Sequence, residues 1–211
     1  MVKQQLKNLY FSCNRILTFP NYYLNRVRSA VTKPEYLNLH LGSGDKYRPG
    51  FINIEGNITR KKDMWLDLRN PLPFATNSVD FILCVHTLEH LYPDEAINLL
   101  KEVYRVLKPN KSARFAVPSF DYALSVTRGE HLSVYPQKFT DPIAQAINYL
   151  FCDGQHKYAY NFHIFQAFAS KAGFVKIYEY SKDFGIAAKT YGNVTVTEDN
   201  APDSLVVELT K

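Results

Sequence analysis

Gly42-Ser43-Gly44 and Glu55 are the residues whose types and spacing point most directly to chemistry. An apolar run, Leu37, Leu39 and Leu41, leads into the two glycines. A second short run, Phe51 to Ile54, ends on Glu55. A strand that stops at glycines lets a ligand approach the backbone, because no Cβ stands in the way. A carboxylate at the tip of the next strand can accept hydrogen bonds from both hydroxyls of a ribose. Together they suit an adenosine-type cofactor held at the carboxyl ends of parallel strands. Glu55 follows Gly44 by 11 residues, against about 20 in dinucleotide folds, and the gap has no room for a full helix. No Gly-x-Gly-x-x-Gly occurs, and Tyr47 stands where the third glycine would be. A pyrophosphate needs a helix N-terminus aimed at it, so the turn reads as a site for adenosine without one. Taken alone, Gly-Ser-Gly is also an ordinary tight turn.

The elements that must position this turn alternate. Strands are expected over Leu37–Leu41, Ile52–Ile54, Met64–Leu68, Val79–Val85, Ala113–Val117, Phe174–Tyr180 and Ser204–Leu209. Helices are expected over Asp94–Leu107, Asp141–Phe151 and Asn161–Ala172, the last stopped by Gly173. Val79 to Val85 has the continuous apolar character of a buried parallel strand. The last two strands follow one another without a helix, which suggests an antiparallel pair at the sheet edge. The pattern predicts an α/β, Rossmann-like fold: a seven-stranded, mostly parallel sheet with helices on both faces and one antiparallel edge strand.

A chain of 211 residues holds one such domain and not two. No apolar run approaches about 18 residues, so no transmembrane segment is expected, and no secretory leader is evident. Cys13, Cys84 and Cys152 are far apart and form no Cys-x-x-Cys pair. Neither a zinc site nor a disulfide framework is indicated, no metal is expected, and a reducing, cytoplasmic setting is the default. The net charge of +5 is unevenly placed. Residues 1–34 carry six bases and no acid, and the remaining 19 bases and 20 acids nearly cancel. Leu6, Leu9, Tyr10, Cys13 and Leu17 recur there at helical spacing, while Pro20 and Pro34 punctuate the segment. Residues 1–34 therefore read as a basic helical extension, and residues 35–211 as the domain. The extension could pack on the domain, cover its site as a lid, or offer a basic surface to a membrane or to nucleic acid, for which no binding motif is present.

Further motifs complete an ordered set. Leu-His-Leu-Gly-Ser-Gly is followed by Pro-Gly-Phe-Ile-Asn-Ile-Glu, Leu-Asp-Leu, Pro-Leu-Pro-Phe-Ala-Thr-Asn-Ser-Val-Asp-Phe-Ile and His-Thr-Leu-Glu-His-Leu, then Glu-Val-Tyr-Arg-Val-Leu-Lys-Pro and Ala-Gly-Phe. This order resembles class I S-adenosylmethionine-dependent methyltransferases, in particular the type 11 branch, over residues 36–120 and more loosely over 155–180. The resemblance implies S-adenosylmethionine as cofactor. It implies that Leu41, Gly42, Ser43 and Gly44 pass beneath its methionine and ribose, and that Glu55 holds the ribose hydroxyls. Asp67, with the Leu68 backbone beside it, would accept from the adenine amine. The backbone at Val85 and His86 would hold the methionine ammonium group, and Leu88, Glu89 and His90 would line the mouth. Ser43 and Glu55 stand where relatives often carry cysteine or alanine, and aspartate.

Methyl transfer is an in-line displacement in which positioning supplies much of the rate. A base is needed when the acceptor carries a proton of high pKa. Residues 119–163, after the fifth strand, should build the acceptor pocket. Their candidates are Asp121, Tyr122, His131, Tyr135, His156, Tyr158, Tyr160 and His163; His90, His156 and Tyr160 are the candidates for catalysis. Each of these is also an ordinary packing or surface residue. The Asn-Pro-Pro-Tyr, Asp-Pro-Pro-Tyr and Pro-Cys signatures of methylation at amides and bases are absent. The expected acceptor is a hydroxyl or amine of a small molecule, with a sugar or glycan precursor suggested by analogy. The alternatives are a cofactor-binding module without transferase activity and an RNA methyltransferase tethered by its basic N-terminus. The oligomeric state is not legible.

Overall fold

The computed structural model describes residues 2–31, 35–130, 140–180, 189–191, 193–196 and 203–211. In chain order the elements are α1 (Val2–Val31), β1 (Asn38–Leu41), β2 (Ile52–Glu55), β3 (Met64–Trp65), β4 (Val79–Val85), α2 (Pro93–Val106), β5 (Leu107–Pro118), α3 (Phe120–Thr127), α4 (Pro142–Phe151), α5 (Phe162–Ala172), β6 (Lys176–Tyr180), β7 (Lys189–Tyr191), β8 (Val194–Val196) and β9 (Ser204–Thr210). Seven strands form one sheet in the order β3-β2-β1-β4-β5-β9-β6. The pairs from β3 to β5 are parallel, and β9 runs antiparallel to both β5 and β6. The expected seven-stranded, mostly parallel sheet is present, and its antiparallel strand lies one place in from the β6 edge.

Strand β4 shows how the two faces are filled. Ile82 and Cys84 join the main core with Leu99 and Val103 of α2 and Phe165 and Ala169 of α5. Phe81 and Leu83 point the other way, against Val194 and Val196 of β8. Tyr191 of β7 stacks on Phe81 with ring centroids 3.7 Å apart. Among the described residues, the links from β1 through β4 hold no helix, and the β7–β8 hairpin covers this face of β4.

The loop from Gly42 to Phe51 is held instead by one buried amide. Asn53 is fully buried. Its Oδ1 accepts from the Arg48 backbone N–H at 2.9 Å and lies 3.2 Å from His40 Nδ1. Its Nδ2 donates to the Arg48 carbonyl at 3.0 Å, to the Phe51 carbonyl at 3.1 Å and to Asp63 Oδ2 at 2.9 Å. A second buried polar group ties the far side of the sheet. Arg114 of β5 is fully buried and faces Glu208 of β9 at 3.3 Å, and the Tyr180 and Tyr191 hydroxyls donate to the same carboxylate.

Helix α1 corrects two expectations. Pro20 lies inside the helix and does not end it. Of the expected apolar stripe, only Tyr10 lies on the docked face among the described side chains. Tyr10, Asn14, Thr18 and Asn21, spaced by four, four and three residues, carry the contacts. Tyr10 donates to the Gly56 carbonyl at 2.7 Å, Asn21 to the Trp65 carbonyl at 2.9 Å, and Thr18 Oγ1 accepts from the Asp67 N–H at 3.1 Å. Asn14 and Thr18 are buried, whereas Leu9, Ile16, Leu17 and Leu24 are more than half exposed. The strand tips that receive α1 end in free carbonyls and N–H groups, so a polar stripe satisfies them where an apolar one would not. The side chain of Leu6, and Pro34, lie outside the described residues.

Two expected outcomes test this account. Asn53→Ala strips partners from buried backbone and carboxylate groups and should lower stability by about 3 kcal/mol in urea unfolding, whereas exposed Asp45→Ala should stay within about 0.5 kcal/mol of wild type. Burial lowers the His40 pKa from 6.5 to about 4, against the raising effect of the Asn53 hydrogen bond. The unfolded chain therefore binds a proton near pH 6.5 that the folded chain refuses until about 4. The contribution is complete above pH 6.5 and is lost as the pH falls towards 4. Unfolding midpoints measured across that window should decline, and His40→Gln should flatten the decline.

Candidate cofactor and acceptor site

The Gly-Ser-Gly turn sits where β1 ends, above the tip of β2. The N–H groups of Gly42 and Ser43 both donate to the Ile54 carbonyl, at 2.9 and 3.1 Å. Both glycines are left-handed, with φ of +64° at Gly42 and +51° at Gly44, a region in which a side chain is strained. Their surroundings differ. A Cβ on Gly42 would lie 2.2 Å from Thr87 Oγ1, so the β4 end packs directly on that glycine. A Cβ on Gly44 would meet nothing within 4 Å. Ser43 is buried, and its hydroxyl has no hydrogen-bond partner among the described residues. An open glycine beside an orphaned hydroxyl is what a bound ligand would leave.

Glu55 ends β2 beside this opening. Its Oε2 accepts from the Gly44 N–H and its Oε1 from the Asn57 N–H, each at 2.7 Å. The carboxylate is thus fixed by two backbone donors, and each oxygen keeps a lone pair for a further donor. Asp67, one link further along, is differently placed. Its carboxylate is forked by Arg69, with Nε at 2.9 Å and the second guanidinium contact at 2.7 Å. The Asn14 amide of α1 lies 3.4 Å from the same Oδ2. Helix α1 therefore lies over the end of the sheet that carries Glu55 and Asp67.

The end of β4 makes a sharp turn. His86 is left-handed at φ +47°, a strained conformation for a residue with a side chain. Thr87 Oγ1 donates to the Val85 carbonyl at 3.1 Å and reaches the Gly42 carbonyl at 3.3 Å. Leu88 and Glu89 then turn inward and are buried, while His90 remains exposed. Glu89 gathers the histidines. His86 Nδ1 lies 3.6 Å and His156 Nε2 3.9 Å from Glu89 Oε1. Burial lowers the His86 pKa, but the Glu89 carboxylate beside it outweighs that and the net shift is upward. For His156 burial dominates and the pKa is lowered. The His90 and His156 rings meet edge to face at 4.8 Å.

The acceptor-side candidates divide. His156 joins the Glu89 cluster. Tyr160 is fully buried among Phe165, Phe168 and Tyr158, and burial, followed by the Glu89 charge, raises its pKa, which makes it a poor base. Tyr122 is buried, Asp121 and His163 are exposed, and His131 and Tyr135 lie outside the described residues. Helices α3 and α4 enclose an apolar groove of about 380 Å³ lined by Phe120, Leu124, Ile143, Ile147, Leu150 and Phe151 among others. The groove adjoins the histidines, since His156 Nδ1 is 2.9 Å from the Leu150 carbonyl. Sequence reasoning named every member of the Glu89 cluster without joining them. It missed Thr87 and Asn14, although the polar repeat at positions 10, 14, 18 and 21 was a readable helical signal.

Comparison with known proteins adds the class. Residues 59–115, from before β3 into β5, match the family model described as "Methyltransferase domain". No curated protein matches the sequence. A SAM dependent methyltransferase from Archaeoglobus fulgidus is 15% identical with a TM-score of 0.53, the match covering 90% of this chain and 94% of that one. A Haloferax volcanii methyltransferase, solved in complex with the Trm112 methyltransferase activator, is 11% identical with a TM-score of 0.51, covering 95% and 96%. Phosphoethanolamine N-methyltransferase 2 of Haemonchus contortus, solved with S-adenosyl-L-methionine, is 14% identical with a TM-score of 0.48, and this chain covers 38% of its length against 77% of its own. At these identities the structural likeness is one of fold. The matched segment covers less than half of the chain and sits in a fold shared with S-adenosylmethionine-dependent methyltransferases. No described helix is long and apolar enough to cross a membrane.

The two glycines make separable predictions. Gly42→Ala forces a methyl into Thr87 and should lower the unfolding midpoint by several degrees. Gly44→Ala should fold at a cost of about 1–2 kcal/mol yet lose at least tenfold in S-adenosylhomocysteine affinity by calorimetry. Unchanged affinity in folded Gly44→Ala would show that the turn is not the floor of the ligand site.

Proposed function

We propose that this enzyme moves the methyl group of S-adenosylmethionine to a hydroxyl or amine of a small molecule bound between the β4 end and helices α3 and α4. The observation that carries the reading is the Glu55 carboxylate, anchored by the Gly44 and Asn57 N–H groups beside an open glycine. Such a carboxylate accepts two ribose hydroxyls with no reorganisation, since its donors already hold it in place. Leu41, Gly42, Ser43 and Gly44 form the floor beneath the ribose and methionine. Val85 and His86 offer backbone to the ammonium group, and Leu88, Glu89 and His90 border the sulfonium. The cofactor, when bound, supplies an electrophilic methyl on a positively charged sulfur. Buried Glu89 sets a negative charge on that side of the turn.

Adenine would lie near Asp67 and Leu68. The Asn14 amide stands at the Asp67 carboxylate where an adenine amine would donate, which supports α1 as a cover over the cofactor. Adenine entry then exchanges the Asn14 amide N–H for an adenine amino N–H at Asp67. On the acceptor side, His156 is kept neutral by burial and can take a proton from a hydroxyl or ammonium acceptor. The groove beside it is apolar, which favours an acceptor with a polar head at the histidines and an apolar body along α3 and α4. A lipid-linked sugar or glycan precursor has that form. Cysteines so far apart in the sequence, with no Cys-x-x-Cys pair, suit a reducing, cytoplasmic setting.

Calorimetric titration with S-adenosylhomocysteine, beside Glu55→Ala, tests the reading. Micromolar binding to wild type and a loss of at least tenfold in the variant are expected. Equal affinity in both would place the ribose elsewhere, and no binding to wild type would remove the proposed site altogether.

A further inference from the structure

The Glu89 cluster has a property that methyl transfer does not require. Glu89 is 1% exposed, and neither of its carboxylate oxygens has a hydrogen-bond partner among the described residues. A buried carboxylate without donors is costly unless positive charge meets it. One ligand atom from each of Glu89, His90 and His156 falls within 4.8 Å of the others. The two rings are also oriented by backbone. His156 Nδ1 lies 2.9 Å from the Leu150 carbonyl, and His90 Nδ1 lies 3.3 Å from the Gln155 carbonyl. A carbonyl only accepts, so each Nδ1 carries the proton and each Nε2 keeps its lone pair. That tautomer, fixed by a carbonyl behind the ring, is the one a metal-binding imidazole uses. The two chain segments are pinned together, because the Lys157 and Tyr158 N–H groups both donate to the Glu89 carbonyl, at 2.7 and 3.3 Å.

We propose that Glu89, His90 and His156 form a binding site for a divalent transition-metal cation, with zinc the ion of choice. One carboxylate and two imidazoles are a ligand set that suits zinc and leaves one coordination position open. Bonds of about 2.0–2.1 Å place tetrahedral ligand atoms about 3.3 Å apart. The present spread of up to 4.8 Å, with 3.9 Å between Glu89 Oε1 and His156 Nε2, therefore closes as the ion binds. His86, 3.6 Å from Glu89 Oε1, is the group that would compete with the ion as an imidazolium. Its Nε2 is 3.1 Å from Ser204 Oγ. The inference stands on these contacts and not on the cofactor, so the two can fail separately.

The test uses the full chain after chelator treatment and dialysis, titrated with Zn²⁺ alone by calorimetry and scanned for its thermal midpoint. One equivalent should bind with micromolar affinity or better and raise the midpoint. His90→Ala, at an exposed position, should fold and bind at least tenfold more weakly. Glu89→Gln should do the same, and if it does not fold the His90 variant decides. His163→Ala, an exposed histidine outside the cluster, should bind as wild type does. Absence of a saturable single equivalent, or zinc affinity unchanged in folded His90→Ala, overturns the proposal. S-adenosylhomocysteine titrated into the same samples reads the cofactor site independently: zinc binding without it keeps this site and loses the other.

Discussion

The short link between β1 and β2 is the constraint on which the site depends. It has no helix to stiffen it, so the chain uses the buried Asn53 amide in its place. One side chain joins the Arg48 and Phe51 backbone, His40 and Asp63. A planar amide with fixed donors and acceptors constrains a loop more tightly than apolar contact does, because every missed bond in a buried place costs free energy. The loop so held begins with the Gly42 turn, and the strand that carries Asn53 ends at Glu55. The position of the Glu55 carboxylate relative to Gly44 thus follows from a residue that touches neither a ligand nor solvent.

Substitution recurs on the sheet face above Phe81 and Leu83. Helices from the early crossovers would ordinarily cover it, but here the hairpin of β7 and β8 does so, through Val194, Val196 and the stacked Tyr191. The buried Arg114–Glu208 pair ties the same hairpin to β5 and β9 through the Tyr191 hydroxyl. Paired and hydrogen-bonded, these charges are tolerable in the interior; either one alone would not be.

Local chemistry was legible in the sequence, and long-range placement was not. The Asn161 and Asp141 helix starts and the Gly173 stop appear where their side chains dictate, whereas the strand expected over Met64–Leu68 forms only at Met64–Trp65. The Gly-Ser-Gly turn and Glu55 could be joined because only 11 residues separate them and both end strands. Thr87 packing on Gly42 links positions 45 residues apart, and no pattern in either segment announces it. Helix α1 shows why periodicity can mislead. Apolar residues do repeat along it, yet the surface it meets is the polar end of a sheet, so its amide and hydroxyl stripe docks and Leu9, Ile16 and Leu24 stay in solvent.

Two glutamates, one at each side of the glycine turn, show how a fold prepares opposite chemistries with the same side chain. Glu55 already holds two backbone N–H donors, and what it lacks is further hydroxyl-type donors. Glu89 is buried with no donor on either oxygen among the described residues, and what it lacks is charge. The first arrangement selects neutral groups that hydrogen-bond in a fixed direction. The second selects cations, because only a full positive charge offsets the desolvation of a buried carboxylate. A sulfonium, an imidazolium and a divalent metal all satisfy that requirement. His86 and His156 already lie at 3.6 and 3.9 Å as partial answers, too far for a good hydrogen bond. Glu89 is therefore poised between partners, and which cation it holds determines whether the histidines around it serve as bases or as ligands.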